Sequence, residues 1–239
     1  MRLVAIAVLG IIGILVCVGG ATGPTDAAKK PETPATEHGA MDTVRNDVHK
    51  LPEPAIAGPV SLEEAMHTRR SVRQFTEQRL TVEEIGQLCW SGQGITDRAS
   101  GFRTAPSAGA LFPIELYVVG DNGVHHYRPR EHALRRHLAD DVRTALQQAS
   151  LGQEVIGQAP VCMVVAAVVE RTAGKYGRRA ERYCMIEAGH VAQNILLQAT
   201  ALRLAGVPVG AFDDDAVARA LKLPRGQQVL DLLPLGHPR

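Results

Sequence analysis

The sequence feature that most constrains the fold is a long helical pattern from about Arg178 to Leu204. Its second half is apolar on nearly all sides, whereas a helix with one wet face would show a polar stripe there. A helix that is buried on all sides needs more surrounding protein than one small domain easily provides. We therefore expect a partner subunit to supply part of that cover.

Strands are predicted on both sides of this helix. The run from Pro160 to Val169 is nearly all apolar and rich in valine, which favours a central strand covered on both faces. Val229 to Leu235 predicts the last strand. Ile114 to Val119 and Val124 to Tyr127 flank Asp121-Asn122-Gly123, whose residues tolerate positive φ, and this pattern predicts a hairpin.

Helix starts are marked by two capping-box patterns, Ser61 with Glu64 and Thr81 with Glu84. Two further helices are predicted at His132 to Leu138 and Val142 to Ala149. Helices before, between and after the strands indicate an α+β fold with one sheet.

Composition excludes some classes of protein. A formal net charge of +1 argues against a nucleic-acid binder held by a broad basic face. Apolar residues make up 45% of the chain, enough for a sizeable core. Cys89, Cys162 and Cys184 lie on apolar faces without a C-x-x-C pair, which favours buried thiols over disulfides.

The N-terminal region predicts export. Residues 1–21 have one arginine, an apolar run and small residues, as in a secretory signal peptide. Cys17 leaves a lipoprotein signal open, and an uncleaved membrane anchor is a third interpretation. Residues 22–59 are rich in proline, threonine, alanine and lysine and predict a disordered linker. Residues 60–239 would then form the folded domain, in the periplasm or cell envelope.

Two short motifs are candidate binding segments. Residues 69–75 read RRSVRQF and place three guanidinium groups and a hydroxyl within five residues. Arginine donors form a rigid fork that suits phosphate or the carbonyl edge of a planar ring. Alternatively, Arg69 and Arg70 only compensate the negative end of the preceding helix. Residues 105–113 read APSAGALFP, whose small residues allow a backbone to approach a flat ring closely.

These motifs resemble the nitroreductase superfamily of flavin enzymes, and within it the SagB-type or ThcOx branch of thiazole/oxazole-forming peptide dehydrogenases. Further matching segments, in order, read LTVEEIGQLCWSGQGIT, RYCMIEAGHVAQNILLQA and VPVGAFDDDAVARALKLP. The resemblance runs from about Ser61 to Pro238. It implies a nitroreductase-like three-layer sandwich, with one central mixed sheet flanked by helices, and a homodimer with two flavins at its interface.

The resemblance also implies an FMN site. The matching cofactor-binding residues are Arg69, Arg70, Ser71, Arg73, Pro106, Ser107, Ala108, Gly109, Pro208, Val209 and Gly210. The segment from Pro106 to Gly109 matches the one that the second subunit lays against the flavin. Lys175 and Tyr176 resemble a Lys-Tyr pair proposed as catalytic in azoline dehydrogenases. Ordinary turns, a solvated lysine and a packed tyrosine are the alternative interpretations.

Two departures from the family pattern bear on this site. Ala110 and Phe112 stand where many nitroreductases have polar residues. Many relatives close the phosphate site with a basic C-terminal tail, whereas this sequence ends at Arg239. Either Arg239 substitutes for that tail or phosphate binding is weaker.

Glu187 and His190, three residues apart, have the spacing of a di-iron helix motif, but no second such motif occurs. We therefore expect no metal, and expect a hydrogen-bonded polar cluster with Gln193 and Asn194 instead. His125 and His126 are expected on an exposed strand surface.

Three functions stay open at this point. The first is an exported FMN-dependent oxidoreductase exchanging hydride at flavin N5 with a small quinone, nitro or azoline-like compound. The second is a non-catalytic envelope interaction protein, with or without flavin. The third is an enzyme that degrades its own FMN. None of the three implies a nucleic-acid partner, and membrane contact would come only through the N-terminal segment.

Overall fold

A seven-stranded sheet is the centre of the fold, as seen in a computed structural model that describes residues 47–239. Its strands are β1 (Val48–Lys50), β4 (Ile114–Gly120), β5 (Gly123–Arg128), β6 (Ala133–Leu138), β7 (Val161–Val168), β8 (Ala205–Gly206) and β9 (Gln227–Gly236). Their spatial order is β1-β6-β5-β4-β7-β9-β8. A separate pair, β2 (Ile95–Asp97) and β3 (Phe102–Arg103), forms a small second sheet.

Helices cover both faces of the large sheet. In chain order they are α1 (Leu62–Thr68), α2 (Val82–Gln93), α3 (Arg143–Ala149), α4 (Glu154–Gln158), α5 (Val169–Tyr176), α6 (Ala180–Ala201) and α7 (Asp214–Ala220). Alternate residues of a strand point to opposite faces. Leu116 and Val118 of β4 accordingly join the core under α2 and α6, while Tyr117 and Val119 join the core under α3, α4 and α7. The expected α+β three-layer sandwich is confirmed.

The sheet differs from expectation in strand direction. Every pair of neighbouring named strands is antiparallel, so the expected mixed sheet is wrong in this detail. The parallel element is a single bridge between Ser71 and Gly206 at the β8 edge. The predicted hairpin is confirmed as β4 and β5, and the valine-rich run is confirmed as the central strand β7.

The prediction of a helix at His132 to Leu138 is wrong, because these residues form β6. Ala133 and Leu134 are buried while Arg135 and Arg136 are exposed, and the strand pairs with both β5 and β1. A run of six residues is too short for periodicity to separate a helix from a strand. Pairing with residues distant in the sequence decides the outcome.

The last part of the expected disordered linker is also ordered. Val48–Lys50 forms the edge strand β1, and the Leu51 side chain is 6% exposed. The Gln87 side chain exchanges two hydrogen bonds of 2.9 Å with the backbone of Ala55. The expected signal peptide and the remainder of the linker lie outside the described residues. Between residues 47 and 239, no helix is both long and apolar enough to cross a membrane.

Helix α6 receives more cover from its own chain than expected. Val191, Ile195 and Ala199 in its second half are at most 1% exposed, packed against α2 and the sheet. Its exposed apolar side chains lie in the first half, at Met185 and Ile186. A surface for a partner would therefore involve the first half of α6.

Gly92 allows α2 to approach α6 closely. A Cβ atom there would lie 2.9 Å from Ile195 Cδ1 and 3.2 Å from Val191 Cγ1. Gly92→Val should therefore lower the free energy of unfolding by about 1–3 kcal/mol, the usual cost of overpacking. Urea unfolding measures it, with Gly174→Ala as the control, since a Cβ at Gly174 meets no atom within 4 Å. Equal loss in both variants would contradict this packing.

Candidate functional site

The loop after α1 presents the first motif at the surface. Arg69 is half-buried, and Ser71 and Arg73 are exposed. The Val72 N–H donates to the Gly206 carbonyl at 3.1 Å, which fixes the loop beside β8. Within residues 47–239, none of Arg69, Arg70 and Arg73 pairs with a carboxylate. The positive charge of this loop therefore has no ion-pair partner among residues 47–239.

Arg70 differs from its two neighbours. Its Nη1 donates to the carbonyls of His67 and Arg69, both at 2.8 Å, at the C-terminal end of α1. This contact is the helix-compensating role that the sequence left as an alternative. Arg69 and Arg73 remain as the guanidinium groups of this loop with no hydrogen bond or ion pair to the described residues.

Two other segments lie near this loop. Pro208 follows two residues after Gly206, the residue that bridges to Ser71. Pro208 and Gly210 are exposed, whereas Val209 between them is buried and bridges to Leu232 of β9. A Cβ at Gly210 would meet no atom within 4 Å. On the other side, the Arg239 N–H donates to the Gln74 carbonyl at 3.4 Å and its Nε donates to the Phe75 carbonyl at 2.9 Å. A fourth arginine thus lies next to the loop.

The second motif forms a tight turn with unusual backbone geometry. Gly109, Ala110 and Phe112 all have positive φ, of 64°, 55° and 48°. Such angles are unfavourable for alanine and phenylalanine. The Phe112 N–H donates to Ser107 Oγ at 2.9 Å, which closes the turn. Side chains from α5 and α6 hold this turn from two sides.

Lys175 and Tyr176 lie directly against this turn. A Cβ atom at Gly109 would be 2.9 Å from both Lys175 Nζ and Tyr176 Oη, so a larger residue would displace both. Tyr176 is fixed by an edge-to-face contact with Tyr183, with ring centroids 4.9 Å apart. The structure therefore brings Lys175 and Tyr176 together with Pro106–Gly109.

Arg171 positions the turn relative to α5. Its guanidinium donates to the Phe112 carbonyl at 3.1 Å and to the Glu115 carboxylate. Burial would raise the pKa of Glu115, but the hydrogen bond from His126 and the charge of Arg171 lower it below the usual range. The sequence did not lead us to Arg171 as a site residue. The signal that could have indicated it is its position one helical turn before Lys175.

Glu187 of α6 lies beneath the same turn and is 2% exposed. Burial raises its pKa to about 7, although Ser107 and Arg103 both lower it. The expected cluster with Gln193 and Asn194 is wrong, because Gln193 is exposed and Asn194 donates to the Thr104 carbonyl at 3.3 Å. His190 is exposed. Within residues 47–239 no group of three or more potential metal ligands occurs.

The candidate residues form two groups. One contains the arginine loop, Pro208–Gly210 and the C-terminus, and the other contains Pro106–Gly109 with Lys175 and Tyr176. Among the described residues, no hydrogen bond or ion pair joins the two groups.

A comparison with protein families identifies residues 66–237 as matching the nitroreductase family. The chain belongs to this family. A nitroreductase-family protein of Methanocaldococcus jannaschii is 42% identical over 184 residues, which is 74% of this chain and 91% of that protein. The Escherichia coli microcin B17-processing protein McbC is 27% identical over 159 residues, which is 62% of this chain and 58% of McbC.

Solved nitroreductase structures share this fold. A Ralstonia eutropha nitroreductase has a TM-score of 0.74 and 27% identity, covering 80% of this chain and 90% of its own. The NADPH:FMN oxidoreductase of Vibrio harveyi has a TM-score of 0.57 and 23% identity, covering 74% of this chain and 68% of its own. The nitroreductase fold expected from the sequence is thus confirmed.

Proposed function

We propose that this nitroreductase-family protein is an exported, FMN-dependent oxidoreductase that exchanges hydride with a small quinone, nitro or azoline-like compound. The observation that carries the proposal is the arginine loop. Arg69 and Arg73 are unpaired among the described residues, on a loop that bridges through Ser71 to Gly206, two residues before the exposed Pro208. The Vibrio harveyi protein of the same fold is an NADPH:FMN oxidoreductase, which supports this choice of flavin.

The residues present fit a phosphorylated flavin. A phosphate needs unpaired cationic donors, which Arg69 and Arg73 offer. Arg239 lies close by, because its Nε donates to the carbonyl of Phe75, two residues after Arg73. A flat ring system needs a surface without protruding side chains, which Gly210 offers. Bound FMN would supply hydride transfer at N5. The chain would bind and orient the flavin, and its guanidinium charge would favour the reduced form.

We further propose that two copies of the chain complete each site. Among the described residues no hydrogen bond or ion pair joins the two groups of candidate residues, as expected if Pro106–Gly109 of one copy meets the arginine loop of another. Exposed apolar residues support a subunit interface, since Leu62, Met66, Met185 and Ile186 are 47–57% exposed on two helices that pack together.

Lys175 and Tyr176 support an azoline-like substrate. Lys175 Nζ lies 5.5 Å from the Tyr176 ring centroid, and both groups face the turn at Gly109. An amine there could accept a ring proton while Tyr176 hydrogen-bonds to the substrate. The relation to McbC supports the same choice, since that protein is named as a microcin B17-processing protein.

Lys175→Met should separate two substrate classes. Oxidation of an azoline-containing peptide should fall about 10²–10⁴-fold, because it needs proton removal, whereas quinone reduction should change little. Steady-state rates with both substrates and matched FMN occupancy measure this. Lys50→Met on the edge strand β1 is the control, because Lys50 is exposed and three strands lie between β1 and β7, the strand that leads into α5. Equal loss with both substrates would exclude a specific role for Lys175 in proton removal.

The purified chain, reconstituted with FMN and reduced without oxygen, tests the function itself. Recolouring by a quinone supports the proposal. Failure to bind FMN would instead support a flavin-free interaction protein. Oxygen-dependent loss of the flavin would support a flavin-degrading enzyme.

A further inference from the structure

The Glu187 carboxyl is a buried acid for which the proposed reaction gives no role. It is 2% exposed, and neither of its oxygens has a partner of hydrogen-bonding geometry among the described residues. Burying a carboxyl group without partners is costly, and such a group calls for an explanation. The explanation must come from the groups that face it.

Three elements present charged or titratable groups to this carboxyl. Arg103 of β3 attracts it, Ser107 faces it from the turn, and Cys184 lies one helical turn before it on α6. Arg103 in turn donates a hydrogen bond to the Gln93 side chain of α2, and its Cζ lies 4.5 Å from the centroid of the Phe112 ring. The charges of Glu115 and Arg171 also act on Arg103. Burial favours the neutral acid and raises its pKa to about 7, while Ser107 and Arg103 favour the carboxylate.

The Ser107 hydroxyl lies near enough to this acid to lower its pKa, although no hydrogen bond of normal geometry joins the two groups in this structure. Its oxygen accepts the Phe112 N–H at 2.9 Å, so its single proton is free to be donated elsewhere. Glu187 is the acid beside it. Such a bond would stabilise the turn further, because Ala110 and Phe112 hold positive φ angles that are unfavourable.

We propose that Glu187 is a positioning residue whose ionisation controls the turn from Ser107 to Phe112. The carboxylate accepts the Ser107 proton in a charge-assisted bond and holds the turn. The protonated acid offers Ser107 only a weaker, neutral acceptor, and this loosens the turn. The idea that this turn contacts a flavin rests on the proposed function. The bond between Glu187 and Ser107, which we call the tie, does not depend on that function.

Amide NMR of the flavin-free full chain tests the tie directly. The Phe112 amide resonance should move through one titration with a midpoint at about 7, following the carboxyl resonance of Glu187. Glu187→Gln should abolish this movement. Glu181→Gln, an exposed change of the same kind on the same helix, should preserve it. A Phe112 resonance that ignores Glu187 ionisation would overturn the proposal.

Ser107→Ala provides a second test that does not alter Glu187. The hydroxyl lowers the pKa of Glu187, so its removal should raise that pKa further and abolish the Phe112 response. An unchanged Glu187 pKa would also refute the link.

FMN titrations separate this proposal from the proposed function. The dissociation constant should be about fivefold lower well above neutrality than well below it, the difference between a charged and a neutral hydrogen bond. In Glu187→Gln it should not vary with pH through this ionisation. Absence of FMN binding at any pH, with the Phe112 response intact, would refute the flavin function and leave the tie standing.

Discussion

Arg73→Ala should weaken FMN binding by about 1.5–3 kcal/mol, the scale of a hydrogen bond to a charged group. Arg73 is exposed and has no carboxylate partner among the described residues, so its removal breaks no ion pair there. The loss should therefore occur in flavin affinity and not in folding. It corresponds to a rise in Kd of about 10–150-fold.

Fluorescence titration of FMN with the purified variant measures this effect. Arg79→Ala is the matched control, because Arg79 is exposed on the same segment but pairs with Asp121 at 2.5 Å. Arg70→Ala should cost less affinity than Arg73→Ala, since Arg70 donates to the end of α1. Unchanged FMN affinity in Arg73→Ala would assign the phosphate to other residues.

Glu187→Gln should stabilise the folded chain at alkaline pH by on the order of 3 kcal/mol. Burial raises the pKa of Glu187 from 4.5 to about 7, so between these values the folded chain holds a proton that the unfolded chain has lost. The stabilising contribution is complete below 4.5 and is lost as the pH rises through 7. Glutamine stays neutral, so the gain should appear on the alkaline side.

Urea unfolding across a pH series, at fixed protein concentration, measures this gain. The difference in unfolding free energy between the two proteins should grow with pH and level off above about 7. Glu181→Gln should run parallel to the unsubstituted chain. Asp231, whose pKa burial raises to about 6, should keep its own pH dependence in every variant. Parallel curves for Glu187→Gln would show that this carboxyl titrates normally.

Local signals in the sequence predicted much of this fold. Thr81 and Glu84 form the expected capping box, with bonds of 3.2 Å and 2.7 Å. Ser61 accepts the Glu64 N–H as expected, at 3.1 Å. The hairpin at Asp121-Asn122-Gly123 and the valine-rich strand also formed where predicted. Each of these depends on residues close together in the chain.

The errors have a common cause in contacts between distant residues. β1 and β6 exist because they pair with each other, which short polar segments do not reveal. His125 was expected to be exposed, but it is 5% exposed within the sheet, and His126 pairs with Glu115 at 2.5 Å. The orientation of Glu187 towards Ser107 depends on the packing of α6 against the turn. Periodicity alone cannot predict such pairings.

The candidate site could likewise be predicted only in part. The sequence motifs indicate the candidate residues, and the structure shows which of these residues lie together. Lys175 and Tyr176 lie at Gly109, although more than sixty residues separate them in the sequence. Arg171 and Glu187 emerge from the structure because the groups near them, the Phe112 carbonyl and the Ser107 hydroxyl, lie on a turn far away in the chain.

The visible absorbance spectrum of the purified chain tests the central claim most directly. We predict a yellow protein with the two-band spectrum of oxidised flavin, which bleaches with a reductant and releases FMN in equimolar amount on denaturation. A colourless protein that gains no flavin spectrum when incubated with excess FMN would contradict the claim.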